Sequence, residues 1–159
     1  MAKKGSPKTP EGPRSIVNRK ARHDFELLDS YEAGIALQGS EVKSIFLGKV
    51  NMTDAFCQMQ GSELFVMNLD IEPYTHSSHF QPERRRDRKL LLHRKEIETI
   101  HRKSQEKGLT IVPTKIYFNE KGRVKVEISL ARGRRQYDKR DKIEADQSRR
   151  EAQAARAMR

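Results

Sequence analysis

Apolar and polar residues alternate from Phe25 onward, with Phe25, Leu27, Tyr31, Ala33, Ile35 and Leu37 all on odd positions and Glu32 among the residues between them. Period two marks a strand with one buried face, which predicts that Glu32 lies on the outer one. Gly34 would let so long a strand bend, as a small barrel requires. The period then changes. Gly39 and Ser40 offer a helix start, Val42, Ile45 and Phe46 recur at i, i+3, i+4, and Gly48 supplies a stop, so a short helix should join this strand to the next. Residues 54–59 and 64–71 read as a hairpin around Gln60, Gly61 and Ser62. Residues 73–88 carry Pro73, Pro82, two histidines and the Arg84, Arg85, Arg86 cluster with little periodicity, the pattern of an exposed loop. Leu90, Ile97 and Ile100 fall near one helical face that ends at Gly108, a helix placed to cap or flank the sheet. Residues 109–118 and 123–130 form the clearest hairpin. In its second arm Val124, Val126, Ile128 and Leu130 face one way and Arg123, Lys125, Glu127 and Ser129 the other, while the first arm slips phase near Pro113, which predicts an edge or a bulge. Beyond Ala131 the alternation stops.

These elements predict an all-β fold with flanking short helices, one domain over residues 16–131. The 159 residues are enough for one modest core, and the apolar fraction of 35% is matched by a charged fraction of 35%, a balance in which part of the chain does not fold alone. Residues 1–15 hold Lys, Gly, Ser, Thr and three prolines, and are expected to form a disordered N-terminal arm. Residues 132–159 form a basic tail with good helix formers but only Ile143 and Met158 as large aliphatic side chains, so a helix there would lack a core face.

Charge sharpens this division. Residues 1–22 carry seven Lys or Arg against one acid and residues 132–159 ten against five, whereas residues 23–131 carry 16 of each, so the net charge of +11 comes from the two ends. A neutral body with basic ends points to a polyanion, and nucleic acid is the leading class, ahead of an acidic protein or a membrane surface. No apolar run is long enough to span a bilayer, the N-terminus has no apolar signal core, and the single cysteine excludes an internal disulfide framework. The expected setting is cytoplasmic, with no membrane partner.

Catalysis finds little support in the residue types. Cys57 sits in an alternating strand beside Ala55 and Met59, where a small buried hydrophobe is the better reading than a nucleophile. His76 and His79 lack a third ligand at a familiar spacing, and Glu96 and Glu98 lie beside basic residues on the expected helix, where ion pairs account for them. No phosphate-binding or dinucleotide fingerprint occurs. No cofactor, metal or catalytic residue is therefore assigned. For RNA, Asn18, Arg19, Lys20, Arg22 and His23 form a dense polar and basic stretch suited to phosphates. Glu32 suits donors on a base edge, or else an ion pair with a neighbouring Lys or Arg. In the tail, the run ARGRRQYDKR sets an aromatic among cations, fit for phosphate pairing with base stacking or for simple solvation.

Several separated motifs, in order, resemble one family: NRKARHDFE, then EAGIALQGSEVKS followed by GK and N, then RKLLLH, then ARGRRQYDKR, together covering about residues 16–145. The family is SmpB, the bacterial SsrA-binding proteins that partner tmRNA. The resemblance implies an OB-type antiparallel β-barrel and a noncatalytic adaptor of trans-translation. Such an adaptor binds the tRNA-like domain of tmRNA (SsrA RNA) and delivers it to stalled ribosomes, with elongation factor Tu joined through alanyl-tmRNA. It implies RNA contacts at Asn18, Glu32, Leu91 and Lys125, although Leu91 reads equally well as a core leucine. It further implies that the tail, through Arg132, Arg134, Arg135, Tyr137, Asp138, Lys139 and Arg140, probes the decoding region of small-subunit rRNA and the mRNA path, disordered when free and helical on the ribosome. Tyr137 stands where some relatives carry histidine, and this chain has no Trp after its DKR segment, where the family usually has one. A structural ribosomal protein and a small nucleic-acid enzyme are the competing readings.

Overall fold

The alternating segments become strands, except that the stretch 64–71 breaks at Asn68, φ 55°, into two strands that belong to different sheets. In the computed structural model, residues 15–76, 81–134 and 136–157 are described, the stretch 136–143 by its backbone alone. The elements run β1 (Ile16–Val17), α1 (Arg19–Asp24), β2 (Phe25–Ile35), α2 (Gly39–Phe46), β3 (Val50–Asn51), β4 (Phe56–Gln60), β5 (Glu63–Met67), β6 (Asp70–Ile71), β7 (Arg88–Leu91), α3 (Arg94–Lys107), β8 (Thr110–Phe118), β9 (Val124–Gly133) and α4 (Gln136–Ala157). Hydrogen-bonded neighbours follow the order β1, β8, β4, β5, β7, β2, β9, and β9 pairs back onto β8. The pairings of β8, β4, β5, β7, β2 and β9 thus return to their start, all antiparallel. This arrangement satisfies both edges of each strand over part of its length. β3 and β6 form a separate two-stranded ribbon.

The inner faces supply one main core, including Ala33, Ile45, Leu64, Val66, Leu90, Ile100, Ile128 and Leu130. The helices cover it as their patterns predict. α2 buries Ile45, and α3 buries Ile100 and ends at Gly108 in the left-handed region at φ 60°, a conformation that costs glycine little. The expected hairpins form around Gly61 and Ser62 and across residues 119–122, and the register shift between Pro113 and Lys115 places the bulge where the proline removes a donor.

Five further expectations change or are extended. The odd-numbered face of β2 is not continuous, because the register against β9 shifts between Leu27 and Ser30. Before the shift Phe25 and Leu27 pack in a second small cluster with Ala21, Val112 and Ala131, while Leu28 joins the main core. Gly34 makes room for a neighbour: a Cβ there would lie 3.2 Å from Leu91 Cβ, across a direct cross-strand pair. Leu90 belongs to β7, buried opposite Ile35, and α3 starts only at Arg94. Ser129, expected outside, is buried and meets the Ser30 hydroxyl at 2.8 Å. β9 also continues past Ala131 to Gly133, its last residues paired with Phe25 and Glu26.

Candidate nucleic-acid interface

The basic stretch after Asn18 folds as α1, a single turn and a half that sequence periodicity did not reveal. Asn18 makes it possible. Its Oδ1 accepts from the Ala21 amide at 3.1 Å, capping the helix, and its Nδ2 donates to the carbonyls of Met52 and Pro113 at 3.1 and 2.9 Å. With 5% of its surface exposed and its amide fully engaged, Asn18 occupies a buried joint between α1, β8 and the chain before β4. That differs from the surface position expected of a phosphate contact, and the reason is that a helix start must satisfy orphan amides locally. Arg19, Lys20, Arg22 and His23 are exposed on the turn it caps, with Lys20 3.5 Å from Asp54 and His23 3.0 Å from Asp24.

On β2, Glu32 is exposed as the alternation predicts. Tyr117 on β8 donates its hydroxyl to Glu32 Oε2, and the Lys115 ammonium lies 5.2 Å from the Tyr117 ring centroid. Partial burial, and then the neighbouring Glu32 carboxylate, push the Tyr117 hydroxyl up to about 12, so it stays a donor at neutral pH. One of the two sequence readings gave Glu32 a neighbouring Lys or Arg; the partner it has is a tyrosine from a strand 85 residues later, which no local pattern signals. Lys125 faces Gly34 across the β2–β9 pair and Tyr117 across the β8–β9 pair. Leu91 is 52% exposed, which decides against a core leucine, and it rests over Gly34. Glu32, Leu91 and Lys125 line one groove of about 740 Å³, joined there by Lys89, His93 and Arg94. Asn18 and Lys20 instead border a separate cleft of about 380 Å³ beside α1. Carboxylate, exposed leucine and lysine in one concave surface can accept from base donors, cover a base or sugar face, and pair a phosphate.

The arginine cluster that leads into β7 is only partly available. Glu41, on the first turn of α2, is 3% exposed and receives Arg86 on one oxygen and Arg88 Nε on the other at 2.7 Å. Arg88 is fully buried, and its remaining donors reach the carbonyls of Leu69 at 2.6 Å, Arg84 at 3.0 Å, Arg86 at 3.2 Å and Glu83 at 3.5 Å. All five N–H groups of the guanidinium are thereby directed at acceptors. Arg84 Nε is 2.9 Å from Asp70, and Arg85 is exposed. The exposed loop expected over residues 73–88 is therefore pinned at its end to α2. A capping box would have found half of this, since Glu41 lies three residues after Gln38 and accepts its amide at 3.0 Å.

Of the tail positions, Arg132 is an exposed residue of β9, 3.7 Å from Glu26, and the Arg134 amide donates to the Asp24 carbonyl at 3.1 Å. Arg135 lies outside the described residues, as do the side chains of Tyr137, Asp138, Lys139 and Arg140, whose backbone belongs to α4. Side chains from 144 to 157 are all exposed. Cys57 is buried, and burial pushes its thiol up, so it is the core hydrophobe that its strand position predicts. His76 is exposed and His79 falls outside the described residues.

Comparison with known proteins converges on one group. A family model described as "SmpB protein" matches residues 15–159. An SsrA-binding protein of Symbiobacterium thermophilum is 51% identical over 142 residues, 89% of either chain, and one from Thermus thermophilus is 52% identical over 132 residues, 82% of this chain and 92% of its own. Among solved structures, a chain from "tmRNA-SmpB: a journey to the center of the bacterial ribosome" superposes with a TM-score of 0.66 at 51% identity, over 76% of this chain and 85% of its own.

Proposed function

The chain belongs to the SmpB family, and on that premise we propose that it is an RNA-binding adaptor of trans-translation, taking tmRNA to stalled ribosomes. The observation that carries the geometric side is the outward Glu32 in one groove with Leu91 and Lys125. A carboxylate repels phosphates, so its presence in an RNA surface selects base-edge donors. Tyr117 holds that carboxylate in place, and Lys125 supplies the neighbouring charge. The basic turn α1, capped by Asn18, presents Arg19, Lys20, Arg22 and His23 to phosphates at a second location. Asn18 contributes there by building the turn.

The finer parts of the reading follow from the same premise. The body spans residues 16–133, since β9 runs to Gly133, with an N-terminal arm before it, and the segment beyond is the ribosome-directed tail, disordered when free and helical against rRNA. Elongation factor Tu joins through alanyl-tmRNA, the protein acts in the cytoplasm, and peptide transfer belongs to the ribosome, which leaves this chain no catalytic step. A structural ribosomal component would occupy every ribosome; an adaptor is enriched on stalled ones, and quantifying the protein on translating and stalled ribosomes separates the two.

Two measurements test the RNA face. Binding through Lys and Arg releases counterions, and with about four to eight phosphate contacts the affinity for the tRNA-like domain should fall with a log-log salt slope of about 3 to 6. A slope near zero in filter binding contradicts an electrostatic interface. Glu32→Lys adds a positive charge, which would strengthen a nonspecific polyanion binder, but should weaken cognate binding by about tenfold or more because base donors lose their acceptor. Equal affinity of Glu32→Lys and the parent would remove Glu32 from base recognition.

A further inference from the structure

At the end of α2, Phe46 is 53% exposed and the adjoining Leu47 is 55% exposed. Every other described phenylalanine is at least half buried in its strand. Phe46 is braced from beneath: its ring meets that of Phe118 edge-on, with centroids 6.0 Å apart and planes at 81°. Phe118 itself packs against the main core, so it fixes Phe46 without covering it. The result is an exposed aromatic ring, buttressed by one edge-on contact, at the rim of the sheet.

The surroundings indicate what such a ring is for. Lys49 follows α2, and Lys121 and Arg123 stand in the turn that Phe118 leads into; all three are exposed, and none forms an ion pair among the described residues. Glu120 is the one acid in that turn. Phe118 follows Tyr117 on β8 and takes the opposite, core-facing side of the strand, so the ring it braces is separate from the Glu32 groove. An apolar partner protein would leave these cations uncompensated, whereas an unpaired nucleotide offers a π face and a phosphate together.

We propose that Phe46 is a stacking platform for an unpaired RNA base, with Lys49, Lys121 and Arg123 receiving the flanking phosphates. The inference rests on the RNA-binding reading above and adds a contact outside the groove. Stacking at one exposed ring should contribute about five- to a hundredfold in affinity.

The chain has no tryptophan, so Phe46→Trp places its one indole at the platform, excited at wavelengths where the four tyrosines do not absorb. The full-length variant is titrated with the tRNA-like domain of tmRNA and, separately, with small ribosomal subunits, and filter binding is run in parallel. The expected result is quenching that saturates with the filter-binding midpoint for at least one RNA, and the RNA that quenches identifies the source of the base. Phe46→Ala should weaken that same complex by about five- to a hundredfold, and Phe46→Tyr should retain most of it. Unchanged emission while filter binding reports a complex overturns the platform and leaves the RNA reading standing. Emission that shifts with protein concentration in the absence of RNA also overturns it, since the ring would then face a second copy. No binding by the parent protein overturns both readings.

Discussion

Glu41→Ala should lower the stability of the folded protein by about 3–5 kcal/mol, because it leaves the buried Arg88 guanidinium without its counter-charge. Arg88 has no exposed surface and Glu41 almost none, so neither charge can turn to solvent when the other is lost. Much of that cost reflects the charge left behind rather than the net value of the pair. Arg88→Met in the Glu41→Ala background should therefore restore part of the loss. Restoration stays incomplete because the carbonyls of Leu69, Glu83, Arg84 and Arg86 lose their common donor. Urea unfolding of the two variants and the parent measures this, and a Glu41→Ala cost below about 1 kcal/mol would show that the network does not hold the loop to α2.

The pH dependence has a definite sign. Burial alone would raise the Glu41 carboxyl, but hydrogen bonds from Arg86, from the Gln38 amide and from Arg88 outweigh it and hold the group below its ordinary range. A folded-state value below the unfolded one gives stability that is complete above the unfolded pKa of about 4.3 and lost as pH falls through the folded value. The parent should lose stability over that acid interval more steeply than Glu41→Ala does.

The second large effect concerns the tail. Truncation after Gln136 should abolish peptide tagging on stalled ribosomes while leaving tmRNA affinity within about tenfold, a change of about 1.4 kcal/mol or less. The fold should survive, since the described side chains of α4 from 144 to 157 are all exposed and contribute to neither apolar cluster. Arg132 and Arg134, which lie against Glu26 and the Asp24 carbonyl, remain in the shortened protein. Binding and tagging are measured on the same preparation. Joint loss would place the tail in the primary RNA site, and joint retention would make it a dispensable extension.

Sequence by itself determined the strands β2, β4, β5, β8 and β9, their hairpin turns and the outward phase of Glu32 and Lys125, because period two ties each side chain to a face without reference to any partner; the short strands β1, β3, β6 and β7 it did not reveal. It also located the bulge at Pro113, where a missing donor is a property of the residue, and the end of α3 at Gly108, where left-handed backbone is. The basic ends and the separated motifs were likewise legible, and with them the family. The tertiary structure decided what depends on contacts between distant segments. Tyr117 reaches Glu32 from 85 residues away, Asn18 joins two carbonyls at separations of 34 and 95, and Arg88 meets Glu41 at 47. Polar residues of this kind look like surface in a linear pattern, since nothing local distinguishes a solvated amide or guanidinium from one whose every donor is met inside the fold. The phase change at Leu27 and Leu28 escaped for a related reason: a bulge without proline or glycine is fixed by the partner strand, and only the pairing with β9 reveals which face each leucine takes.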